Sequence, residues 1–158
     1  MKRLVPLSIV MLLVAITISP LPAAAQAPTH INGGGTAAGP DTSSQFGMGV
    51  TVAGDGSVSG HFNCVMAGRS AMPGLSDMTV RGAVTYASSS VMPGTATFGG
   101  VGTLNMKFAQ GGKRETMTVD YSVTVTTGGA RVGTLALAVP AANFSMFETV
   151  TSGQISIH

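Results

Sequence analysis

From Phe46 onward the chain alternates apolar and polar residues with a period of two. In 46–52 the apolar positions are Phe46, Met48, Val50 and Val52, separated by Gly47, Gly49 and Thr51. In 58–66, Val58, Phe62, Cys64 and Met66 alternate with Ser59, His61 and Asn63. Successive strand side chains point to opposite faces, so each segment predicts a strand with one buried face. Ala53-Gly54-Asp55-Gly56-Ser57 lies between them, and its Asp-Gly pair supplies the positive φ of a tight hairpin. The most regular segment is 116–126, where Met117, Val119, Tyr121, Val123 and Val125 interleave with Thr, Ser and Asp.

Shorter alternating runs occur around Val80 to Tyr86, Ala96 to Phe98, Leu104 to Phe108, Leu135 to Val139, Phe144 to Met146 and Ile155 to Ile157. Helical periodicity is not sustained anywhere after the first 25 residues, and Thr and Val favour strands. The pattern predicts an all-β chain, an antiparallel β-sandwich or a small closed barrel of about seven to nine short strands. Residues 26–44 are rich in Gly, Ala, Pro, Ser and Thr and read as a flexible lead-in, with at most a short strand around Thr29–Asn32. The single all-β domain is therefore set at 45–158.

The opening of the chain reads as an address. Lys2 and Arg3 precede a mostly apolar run from Leu4 to Ile18, followed by Pro20, Pro22 and Ala23-Ala24-Ala25. A basic start, a short apolar segment and a small-residue site make a secretory signal peptide, here 1–25 with cleavage after Ala25. The run is shorter than the ~20 residues that span a bilayer. The expected location is periplasmic or extracellular, with no membrane span after cleavage.

Removing that leader changes the charge argument. Six basic residues remain (Arg69, Arg81, Lys107, Lys113, Arg114, Arg131) against six acids (Asp41, Asp55, Asp77, Glu115, Asp120, Glu148), which leaves the processed chain neutral. A neutral chain offers no electrostatic case for phosphate backbones, so nucleic acid is excluded as a partner. Two Tyr, six Phe and no Trp make a poor aromatic girdle for an outer-membrane barrel.

Candidate chemistry is sparse. Cys64 stands alone and in phase with Phe62 and Met66, which reads as a small buried hydrophobe. Its functional alternative is an intermolecular thiol. His30, His61 and His158 have no Cys or carboxylate at ligand spacing. His61 and Asn63 fall on the polar phase of their strand and, with His158, are the candidate ligand or surface contacts. The methionines show neither Met-x-Met nor Met-x-x-Met, the clustering a Cu(I) site needs, and no cofactor or metal is expected. Met72-Pro73-Gly74 and Met92-Pro93-Gly94 read as two similar turns. The nucleophile elbow Gly-x-Ser-x-Gly does not occur, and Gly33-Gly34-Gly35 lacks the strand–helix setting of a phosphate loop.

Several segments, taken in order, resemble small exported bacterial β-domains of the post-COAP type. They are Gly33-Gly34-Gly35, Phe46-Gly47-Met48-Gly49-Val50, Gly56 to Phe62, Ala96-Thr97-Phe98-Gly99-Gly100 and Ser152 to His158. The resemblance implies an all-β fold and export, and leaves activity open. That family carries an Asp-rich Pro-Gly turn before its last strands, from which Thr127-Gly128-Gly129-Ala130 departs, so no ion or ligand role carries over to this turn.

The expectation is a non-enzymatic, exported binding or surface-display module with a protein or glycan partner. The alternative is a self-associating envelope subunit that pairs through an edge strand, for which the weakly charged Thr116–Thr126 is the candidate. A hydrolase assembled from distant residues is the third reading.

Overall fold

The computed structural model describes residues 27–68, 72–89 and 93–158. The expected signal peptide, 1–25, and Met92 of the second Met-Pro-Gly turn lie outside them. Nine strands follow in chain order: β1 (Thr29–Ala38), β2 (Ser43–Val52), β3 (Val58–Ala67), β4 (Leu75–Ala83), β5 (Tyr86–Ser89), β6 (Thr95–Phe108), β7 (Arg114–Thr126), β8 (Thr134–Val139) and β9 (Phe144–Ile157). A 3-10 turn, Pro140–Ala142, joins the last two.

Their lateral order is β4-β3-β2-β1-β9-β8-β7-β6-β5, and β4 also pairs with β6. That last pairing closes eight antiparallel strands into a barrel, and the short β5 continues along the edge of β6 beyond the end of β4. Of the two architectures that the alternation allows, the chain adopts the closed barrel. At the closing seam Gly82 and Gly102 lie directly opposite each other. A Cβ on Gly82 would come within 2.6 Å of the Gly102 Cα, so the two backbones meet where no side chain fits.

Apolar side chains fill the interior, as expected for an eight-stranded barrel. Phe62 packs edge-on against Phe98 at 6.0 Å and stacks on Tyr121 at 5.6 Å, while the Tyr121 hydroxyl donates to the Ala83 carbonyl at 2.9 Å. Outward positions carry Thr, Ser, Asn, His and most of the charges. This polarity is the reverse of a lipid-facing barrel, whose outer wall carries an apolar band.

The Asp-Gly hairpin joins β2 and β3 in the register Val52↔Val58. Gly56 sits at φ 83, and the Asp55 carboxylate accepts from both the backbone N–H and the hydroxyl of Ser57. Gly74 and Gly94 of the two Pro-Gly turns sit at φ 82 and 78.

Two expectations need correction. Residues 26–44 are not a flexible lead-in: β1 occupies ten of them, lies between β2 and β9, and buries Ile31 and Ala37. Its glycines hid it. Gly35 stands directly opposite Gly153 of β9, next to a bulge between Thr36 and Ala37, and Gly153 adopts φ 87. The backbones approach so closely there that inward positions must be glycine, which erases the apolar signal. The second correction concerns Thr116–Thr126. From Ser122 to Thr126, β7 is an inner strand, bonded to β6 on one side and β8 on the other. Among the described residues only its first half, 114–121, is paired on the β6 side alone, because β8 ends at Val139.

Candidate functional site

Four of the singled-out side chains are placed as follows. Cys64 points inward with no exposure and is a free thiol. Burial pushes it up to about 12, a bond to Ser44 pulls the other way, and the nearby Glu148 adds to the rise. A disulfide to another chain would require the barrel to open. His61 and Asn63 are exposed on the outer wall of β3. His158 sits at the end of β9 against His30 of β1, with ring centroids 5.7 Å apart and backbone bonds in both directions. Three strand spacings separate β9 from β3, about 14 Å, so the fold does not bring His158 and His61 together.

His61 stands over Gly49 and level with Ala83, and neither neighbour offers a carboxylate. Among the described residues no three His, Cys, Asp or Glu side chains group to hold a metal.

The interior holds one polar cluster. Thr42, Ser44 and Glu148 are the buried polar residues among those described, and Ser44 donates to Oε2 of Glu148 while interacting with Cys64. Glu148 Oε1 makes no hydrogen bond. The cluster is buried, although Ser44 borders a depression of about 260 Å³ shared with Thr36 and Thr151, and its raised thiol is a poor nucleophile. At one barrel end an apolar depression of about 140 Å³ touches Ile31, Val52, Ala96 and Ile157. It is smaller than the ~300–1,000 Å³ usual for ligand pockets.

The concavity that gathers charge lies on the outer wall instead, a groove of about 360 Å³ across β4, β6 and β7. Three outward rows build it. Asp77, Lys107 and Arg114 stand side by side in the first, and Thr79, Asn105 and Thr116 in the second. Arg81 opposite Thr103 makes the third, about 13 Å along the strand from Asp77. The Thr116 hydroxyl donates to the Asn105 side-chain oxygen at 2.7 Å, which holds the amide in place with its nitrogen free to donate. Glu115 is held by Lys113 at 2.5 Å. Arg81, Lys107 and Arg114 form no ion pair among the described residues.

In a chain with 9% charged residues, this concentration sets the wall apart. Asn63 extends it, since it lies directly across from Arg81 on the neighbouring strand. The arrangement offers cationic and hydrogen-bond donors to an oxygen-rich ligand.

The sequence reading missed the groove because its charges come from segments near 77–81, 107 and 114. Their polar phase was legible, but the β4–β6 pairing that unites them was not. No family model, curated protein or solved structure matches the chain, so no relative's site can be transferred to it.

Proposed function

We propose that the chain is an exported, non-catalytic binding module whose barrel is a filled scaffold and whose outer wall makes the contact. The observation that carries this reading is the segregation of chemistry. The interior is packed with apolar side chains, while unpaired cations, amides and hydroxyls converge on the groove of β4, β6 and β7. A ligand that meets this wall is held by directional donors and charge, and Arg81 suits a planar oxyanion because guanidinium can bond it in two places.

A catalytic reading lacks support in the same geometry. Glu148 and Cys64 have no exposure, and His61 stands apart from the acids of the groove. The partner is an envelope or surface protein or glycan.

The test is to incubate the full chain with isolated envelope glycan and surface-protein fractions, and to follow cosedimentation and product release in the same tubes. The reading expects saturable binding without turnover, weakened when Arg81→Gln and Lys107→Gln are combined. Turnover of any fraction, or binding indifferent to those two substitutions, overturns it.

A further inference from the structure

Most of the barrel's strands are paired on both sides, but β7 changes character half-way. From Ser122 on, its outer edge is bonded to β8; from Arg114 to Tyr121 that edge has no strand beside it among the described residues. The 3-10 turn Pro140–Ala142 touches β7 near the junction and goes no further. Eight residues of extended backbone therefore stand with one row of N–H and C=O groups unpaired by a strand among the described residues, in a segment that carries three charges, Arg114, Glu115 and Asp120, beside two Thr, a Met, a Val and a Tyr. Edges of this kind accept another strand.

We propose that this half of β7 pairs antiparallel with the same segment of a second copy, about a two-fold axis through Met117. The occupant follows from the side chains. In that register Arg114 of one copy stands opposite Asp120 of the other, and the symmetry makes the same pair twice. Thr116 then faces Thr118, Glu115 faces Val119, and Met117 meets its own copy. The face of each residue agrees, because 114, 116, 118 and 120 all lie on the outer phase of β7 and 117 and 119 on the inner.

The monomer leaves each partner of that ion pair wanting. Arg114 stands directly opposite Lys107, a like charge, and neither Arg114 nor Asp120 forms an ion pair among the described residues. Met117 is 38% exposed, although it belongs to the inward phase of its strand, and pairing would cover it. With six charges of each sign after loss of the leader, copies carry no net repulsion. The dimer joins two barrels through one continuous wall, and it brings the two charged grooves onto the same side.

Sedimentation equilibrium of the full chain tests the pairing. A concentration-dependent monomer–dimer equilibrium is expected. Asp120→Arg should weaken it by about tenfold or more by placing like charges opposite each other at both ends. The double change Arg114→Asp with Asp120→Arg should restore it. Met117→Cys should crosslink to its own copy on mild oxidation, since position 117 lies on the axis, while Thr124→Cys in the paired half should not. A chain that stays monomeric at all concentrations overturns the proposal and leaves the edge to a foreign strand. A dimer indifferent to the charge reversal, or crosslinking as readily at 124 as at 117, overturns it too. None of these outcomes depends on whether the groove binds a ligand.

Discussion

The Ser44 hydroxyl on β2 donates a hydrogen bond to Glu148 on β9, joining residues 104 apart in the chain inside a largely apolar barrel. Glu148 occupies a position where the alternation of Phe144, Met146 and Val150 calls for an apolar side chain. Its second oxygen has no partner. Breaking one half of a buried polar pair costs more than removing both halves. Ser44→Ala should therefore destabilise the barrel by about 1–3 kcal/mol. The double variant Ser44→Ala with Glu148→Met should return to within about 1 kcal/mol of the parent, or exceed it. Urea denaturation of the parent, both single variants and the double variant reads the coupling, and simple additivity would refute it.

The close pairing of β1 with β9 makes a sharper demand on the backbone. A Cβ on Gly153 would strike the Gly34 carbonyl and lie 2.8 Å from the Gly35 Cα, at φ +87. Gly153→Ala should cost at least about 2 kcal/mol, from strain at positive φ together with the clash. Gly47 has open space where its Cβ would stand, so Gly47→Ala should change stability by no more than about 0.5 kcal/mol. Thermal melts of the two variants should separate clearly; equal melting temperatures would mean that the close pairing tolerates a side chain.

Cys64 has no exposure and is flanked by Phe62 and Met66. Native protein should resist a thiol reagent such as dithionitrobenzoate for as long as the barrel stays closed, and react at once in denaturant. No reduction-sensitive dimer should appear on a gel of the parent chain. Rapid labelling of the folded protein would show that the barrel opens at this strand.

Alkaline pH should loosen the fold. The Cys64 thiol is raised from 9.0 to about 12, first by burial, and the Tyr121 phenol from 10.0 to about 12, also first by burial and then by Tyr86. Raised folded values mean that the stability these groups contribute is complete below 9 and is lost as pH climbs from 9 towards 12, because the unfolded chain releases its protons first. Each group contributes a slope of up to about 1.4 kcal/mol per pH unit in that window. Cys64→Ala should flatten the melting-temperature profile from pH 9 upward, and Tyr121→Phe from pH 10 upward. A profile unchanged by both substitutions would assign the alkaline loss elsewhere.

Local pattern carried much of this protein. Strict alternation in 46–52, 58–66 and 116–126 determined an all-β chain, and it told inner from outer positions, since a strand with one wet face can bury only every second residue. Asp-Gly between two such runs determined the β2–β3 hairpin, because it supplies the backbone angles that the turn needs. The residue types also placed His61 and Asn63 on the wall and Cys64 in the core. Tertiary structure alone decided what lies beside what. The choice of barrel over sandwich rests on the pairing of β4 with β6, a contact between distant segments whose register no local pattern encodes. The same pairing collects Asp77, Arg81, Lys107 and Arg114 into one groove. The early end of β8 leaves one edge of half of β7 without a neighbouring strand among the described residues. Around Gly35 and Gly153 the backbones pack so tightly that the strand had to give up the side chains by which a strand is recognised.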